Sequence, residues 1–404
     1  MNLSERARNV QASPIRKLKP FADAAKARGT HIYHLNIGQP DIATPRQMLD
    51  VYAQYDDTVL GYGPAQGLDD YRRNLIRYYK RHGIMLADVD NNEIIVTTAG
   101  SEAIVFAMLV TCNQDDEIIV PEPFYTNYNG FAMQTGVRLV PLTTHLENGF
   151  ALPSRQAIEA LIGPRTKAIL FCNPGNPTGA VYTAEEVQRL ADIALAHNLY
   201  IISDEVYREF IYDGARHTSI LHIEGIERHA IMVDSISKRY SACGARVGCM
   251  VCRNRELMDA ALKFAQARLC PPTIDQLAAN AAIDVEEEYF VEVLTEYDKR
   301  RNIVFDALQK IDGVVCRKPG GAFYVIAKLP IEDSEDFALW LLDKFEMNGK
   351  TVMVAPCEGF YATPGLGKDE VRIAYVLNEE ALHDAMKLFA TALHQYRKMQ
   401  GRRP

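Results

Sequence analysis

A lysine set among hydroxyls and small residues, with an arginine eight positions on, makes SISKRYSACGARVG (Ser235 to Gly248) the stretch best equipped for covalent chemistry. It directly follows the apolar run Ile231 to Val233, so Lys238 is displayed just beyond a strand. A neutral lysine amine adds to an aldehyde to give an imine. Ser235, Ser237 and Arg246 are donors suited to a phosphate. Three other strand-to-loop turns carry matching groups. IIVTTAGSEAIVF places Gly100, Ser101 and Glu102 at a helix start, where free backbone N–H groups attract anions. AILFCNPGNPTG offers the Asn176 amide from a loop fixed by prolines and glycines. YIISDEVYREF ends an apolar strand in Asp204, with Tyr207 three residues on, and a carboxylate at the mouth of a sheet needs a partner.

Each of these residues also has an ordinary structural reading: Ser101 as a helix N-cap, Asn176 as a turn residue, Asp204 as a cap, Lys238 as a solvated charge. The four turns in this order are far more specific than any one of them. Together they describe a pocket for a phosphorylated carbonyl cofactor held on Lys238.

The elements that must position these turns are legible in the pattern. From Glu93 to about residue 255, short apolar strands (IIVTT, EIIVPEP, VRLVPL, AILFC, YIISD, IMVDS, GCMVC) alternate with longer helices, as in a parallel sheet with crossover helices. EEVQRLADIALAHN shows the helical period, with Thr183 and Glu186 forming a capping box. Beyond Pro271 and Pro272, residues 275–310 are helix formers almost free of Gly and Pro, and the remainder through VRIAYV reads as a compact α+β unit. Before the sheet, a basic amphipathic arm leads into HLNIGQPDIATP, read as a short strand entering a turn at Gly38, and GYGPAQG lacks the GxGxxG spacing of a dinucleotide loop. The expected class is α/β, a mostly parallel central sheet flanked by helices with a smaller α+β domain. The expected divisions are 1–45 (arm and part of the small domain), 46–290 (large, cofactor-binding domain) and 291–404 (small C-terminal domain).

Composition narrows the function. Lys plus Arg at 44 against Asp plus Glu at 52 gives a net charge of −8, which argues against a sequence-independent nucleic-acid binder. The apolar fraction of 48% is that of a globular protein, and no run reaches the roughly 18 apolar residues of a membrane span. Eight scattered cysteines and the opening MNLSERARNVQ read as a reduced, cytoplasmic protein. Cys249 and Cys252 form a lone CxxC inside an apolar strand, with no second pair at metal spacing, so no metal site is expected.

With these residues in view, the chain resembles the class I/II aminotransferases of the pyridoxal-phosphate fold-type I superfamily, from LNIGQPDIATP to VRIAYV. The resemblance implies pyridoxal 5'-phosphate on Lys238, Asp204 paired with the pyridine nitrogen, and Asn176 and Tyr207 on the ring hydroxyl oxygen. It implies a phosphate cup of Ser101 and Glu102 through backbone N–H groups, with Ser235 and Arg246. It also implies Tyr125 stacked on the ring, Tyr62 reaching the phosphate of a neighbouring subunit in a homodimer with shared active sites, and Arg372 on the substrate α-carboxylate, helped by Gly38 and Asn176. The implied reaction moves an amino group from an L-amino acid, aspartate first, to 2-oxoglutarate, by a ping-pong aldimine/ketimine mechanism.

Some residues depart from the pattern or leave it open. The Glu102 charge would repel a phosphate, so only its N–H is expected to be used. No arginine or lysine dedicated to a distal substrate carboxylate stands out, and Phe360 and Tyr361, expected near the side-chain pocket, would suit an aromatic donor. An alanine donor, a C–S lyase acting on the same cofactor, and a non-catalytic cofactor-binding regulator are the competing readings. The regulator is disfavoured because the chain enters the fold within about forty residues, leaving no room for a basic helix-turn-helix module.

Overall fold

A computed structural model describes residues 2–10 and 16–401; part of the N-terminal arm, at 11–15, lies outside the described residues. The strands are β1 (His31–His34), β2 (Ile94–Thr98), β3 (Glu117–Glu122), β4 (Arg138–Thr143), β5 (Thr166–Cys172), β6 (Tyr200–Asp204), β7 (Ala230–Ser235), β8 (Val247–Val251), β9 (Val315–Cys316), β10 (Tyr324–Lys328), β11 (Lys350–Met353), β12 (Ala355–Pro356) and β13 (Glu370–Ala374). Among the described residues they form a 7-stranded sheet, a 4-stranded sheet and a 2-stranded sheet.

The large sheet has the order β2-β8-β7-β6-β5-β3-β4 and is parallel except for β8, which runs antiparallel to both neighbours. Its inner strands are apolar on both faces because helices cover both. Alternate residues serve two cores: Ile169, Ile201 and Met232 face one layer, and Leu170, Ile202 and Val233 face the other. The reversal of β8 brings Arg246 in at the end of the sheet where the other strands deliver Asn176, Asp204 and Lys238. Nothing in GCMVC itself announces that direction. The helix Ala184–Ala196 begins with both bonds of the Thr183/Glu186 capping box.

The smaller sheet, β12-β13-β10-β9, is antiparallel and packs on the helices Glu287–Gln309, Ser334–Asp343 and Glu379–Gln400 around a core that includes Phe323, Phe337 and Phe389. Strand β1 pairs in parallel with β11. The early strand therefore lies at His31–His34, ahead of the LNIG stretch expected to form it; Leu35 still bonds Met353 and Ala374 through its backbone, and Asn36 to Gly38 lead into the site. The segment 275–310 forms two helices, Thr273–Ala281 and Glu287–Gln309.

Candidate active site

A cavity of about 610 Å³ opens at the carboxyl ends of β2, β5, β6 and β7, where ligands collect in sheets of this kind. Gly38, Ser101, Tyr125, Asn176, Asp204, Tyr207, Ser235, Lys238, Arg246 and Arg372 all line it. Of the site residues singled out from the sequence, Glu102, Tyr62, Phe360 and Tyr361 do not.

Lys238 sits on the single helical turn Ile236–Arg239, capped by Ser235, whose hydroxyl accepts from Ser237 N–H at 3.2 Å. Its Nζ donates to the Gly38 carbonyl at 2.8 Å. Asp204, 4% exposed, accepts from the Tyr128 hydroxyl at 2.6 Å and from Val206 N–H at 3.4 Å. Burial pushes its carboxyl up to about 6, against the pull of the Tyr128 hydrogen bond. Its two hydrogen-bond donors are uncharged, so a cationic ring nitrogen is the partner that this anion suits.

Asn176 donates to the Tyr207 hydroxyl at 3.4 Å and accepts from Arg372 Nη1 at 3.0 Å. Tyr207 also meets the Tyr324 hydroxyl at 2.9 Å. Arg372, 2% exposed, gives Nη2 to the Asn36 carbonyl at 2.6 Å, while its buried Nε has no hydrogen-bond partner among the described residues. The Tyr324 and Phe360 rings flank the guanidinium at 4.5 and 5.1 Å from their centroids. An arginine held this rigidly, with a donor to spare, suits a carboxylate.

The anion end is compact. Ser101 lies in the first turn of the helix Ala99–Thr111, whose start comes close to β8, and Ser235, Ser237 and Arg246 line the same cavity. Gly248 makes this approach possible: a Cβ there would fall 2.7 Å from Gly100 N and 2.6 Å from the Ala99 carbonyl carbon. The Glu102 carboxylate turns out of the cavity, accepting from Thr98 N–H at 2.8 Å and standing 3.3 Å from Arg268 Nε.

The model for "Aminotransferase class I and II" matches residues 30–389 of this chain. The chain belongs to that family. It is 30% identical over 393 residues to the aromatic-amino-acid aminotransferase 2 of Thermococcus litoralis, covering 96% of this chain and 97% of that one. The aspartate aminotransferase of Geobacillus stearothermophilus is likewise 30% identical, over 397 residues, covering 96% and 98%. Among solved structures, the alanine aminotransferase of Pyrococcus furiosus superposes with a TM-score of 0.89 at 29% identity, covering 98% of this chain and 100% of that one. A Thermus thermophilus aspartate aminotransferase mutant superposes with 0.87 at 29%, covering 97% and 100%.

This aminotransferase is therefore a transferase that uses pyridoxal 5'-phosphate, and its cavity fits that cofactor. The fit rests on a buried carboxylate without a cationic hydrogen-bond partner among the described residues at one end and hydroxyls, an arginine and a helix N-terminus at the other.

Sequence reasoning missed Tyr128, Tyr324 and Asn36. Tyr128 follows the predicted Tyr125 by one helical turn, which is the only local hint of its role. Tyr324 and Asn36 reach the site from β10 and from the loop after β1, and no local pattern connects them to it. Phe360 and Tyr361 were expected near the side-chain pocket; neither is part of its wall, Phe360 being buried beneath Arg372 and the Tyr361 hydroxyl bonding Glu370 Oε2 at 2.7 Å. Tyr62 lies in an exposed loop, 85% accessible, beside exposed Val59 and Leu60.

Proposed function

We propose that the chain transfers the amino group of an L-amino acid, aspartate first, to 2-oxoglutarate. The observation that carries the transaminase reading is the placement of Lys238 and the half-satisfied Arg372 on one cavity with the buried Asp204. When bound, the cofactor supplies an electron sink for the charge left by breaking the substrate Cα–H bond. The residues do the rest. Lys238 holds the cofactor through Nζ and, once released, moves the proton from the substrate Cα. Asp204 stabilises a protonated ring nitrogen, and Asn176 and Tyr207 orient the ring through its hydroxyl oxygen. Ser101, Ser235, Arg246 and the backbone N–H groups of Ser101 and Glu102 hold the phosphate. Tyr125 stacks on the ring, and Arg372 holds the α-carboxylate with Gly38 and Asn176 beside it.

An acidic donor is supported by Arg16, Lys19 and Lys26 in the cavity lining, with Asp23, paired to Lys19, as the opposing charge. A second reading, an aromatic donor, is supported by the apolar stretch of wall at Ile37, Ile104 and Met353. The homodimer with Tyr62 on the partner's phosphate is supported by the exposed Val59, Leu60 and Tyr62 loop, and a cytoplasmic location by the free state of all eight cysteines. We take residues 46–290 and 291–404 as the two domains, with 1–45 joining the second; the β1–β11 pairing supports the last assignment.

The test is a half-reaction. Cofactor-loaded protein is mixed with aspartate, alanine or phenylalanine without any oxo acid, and the absorbance is followed. Conversion of the cofactor band with release of the matching 2-oxo acid, fastest with aspartate, supports the reading. Faster conversion by phenylalanine moves the donor to the aromatic class. Pyruvate release from a cysteine conjugate without amino transfer overturns transamination in favour of the lyase.

A further inference from the structure

Glu122 ends β3 as a fully buried carboxylate (0% exposed), and among the described residues its hydrogen bonds come from uncharged donors. Its Oε1 accepts from the Thr143 hydroxyl at 2.8 Å, within the large sheet. Its Oε2 accepts from two successive backbone amides, Ala362 N–H at 2.8 Å and Thr363 N–H at 3.0 Å, in the loop between β12 and β13 of the other sheet. An anion placed on paired amides makes strong bonds of fixed direction, so the side chain acts as a rivet between the two sheets. A second bond lies beside it: Phe124 N–H donates to the Phe360 carbonyl at 2.9 Å.

What the rivet holds gives it meaning. Phe360, two residues before the amides, lies under the Arg372 guanidinium, and Tyr125, three residues after Glu122, lines the same cavity as Arg372. We propose that Glu122 is a positioning residue for substrate binding: it fixes the loop 360–363 so that Phe360 keeps Arg372 aimed into the cavity. The inference rests on the assignment of Arg372 to the substrate carboxylate. Glu122 itself does not line the cavity, so its effect is transmitted through the loop.

The experiment compares E122A, E122Q and R372K in the cofactor-loaded enzyme. Steady-state kinetics use whichever of L-aspartate, L-alanine and L-phenylalanine the wild type turns over fastest, and hydrogen–deuterium exchange is read on the peptide spanning 358–366. E122A is expected to raise KM about tenfold with kcat within about threefold, to leave the cofactor absorbance in place, and to speed exchange of the loop. E122Q keeps the shape and an acceptor oxygen, so it is expected to rescue most of the effect, with KM within about threefold of wild type and intermediate exchange. If E122A does not fold, E122Q alone decides: KM raised about two- to threefold with faster loop exchange supports the proposal, and wild-type KM, whatever the exchange, overturns it. An E122A enzyme whose loop loosens while KM is unchanged, in a background where R372K raises KM, also overturns it. R372K with unchanged KM instead removes the carboxylate assignment on which the inference stands.

Discussion

Lys238 Nζ donates to the carbonyl of Gly38 at 2.8 Å, across 200 residues of sequence. The reactive amine is thus registered against the loop after β1 as well as against its own turn. Gly38 is fitted closely on its other side: a Cβ there would stand 1.8 Å from the Tyr324 hydroxyl oxygen. G38A must displace Tyr324 or the loop, disturbing the Tyr324–Tyr207 contact. A fall in kcat/KM of at least about tenfold, with the cofactor still bound, is expected from steady-state assays and the absorbance spectrum.

R372K replaces a planar fork by a point charge. With Asn176 and Asn36 already engaged by Nη1 and Nη2, lysine cannot both keep those bonds and hold a carboxylate. Losing charge-assisted bonds worth about 2–4 kcal/mol predicts a 30- to 1000-fold drop in kcat/KM, with cofactor affinity little changed.

Asp204 gives a pH signature. Burial raises its folded pKa from 3.8 to about 6, so the contribution to stability is complete below the unfolded value and is lost as pH rises through about 6. A shift of about two units corresponds to about 3 kcal/mol in cofactor-free protein. D204N removes this term. Its urea midpoint is expected to gain on wild type between pH 4 and 7 in the cofactor-free state, while its affinity for the cofactor falls.

E102A should leave cofactor affinity within about twofold, because its carboxylate faces Thr98 N–H and Arg268 and not the cavity. Losing an acid in the first helical turn is expected to lower stability by about 1 kcal/mol. Cofactor titration and urea unfolding separate the two effects.

Much of this was legible because strand-to-turn chemistry is local. IIVTTAGSE, AILFCNPGNP, YIISDEVY and IMVDSISK each carry the apolar run and the chemical group together, so their joint presence implied one end of one sheet. Tyr128, Asn36 and Tyr324 were invisible because their roles depend on tertiary contacts: a hydroxyl on Asp204 across 76 residues, a carbonyl on Arg372 across 336, a phenol beside Tyr207 across 117. That Phe360 and Tyr361 stand behind the cavity wall and not in it was hidden for the same reason, since only the tertiary fold sets which side of Arg372 they occupy. The outward turn of Glu102 was expected from its charge, but the Thr98 N–H and Arg268 that hold it there were not foreseen.

The central claim is that Lys238 carries the cofactor. Borohydride reduction of the loaded enzyme, followed by proteolysis and peptide mass mapping, tests it most directly. The account predicts a stable pyridoxyl adduct on the Lys238 nitrogen alone, absent from K238A. An adduct on another lysine, or none on a protein that still shows the cofactor band, would contradict it.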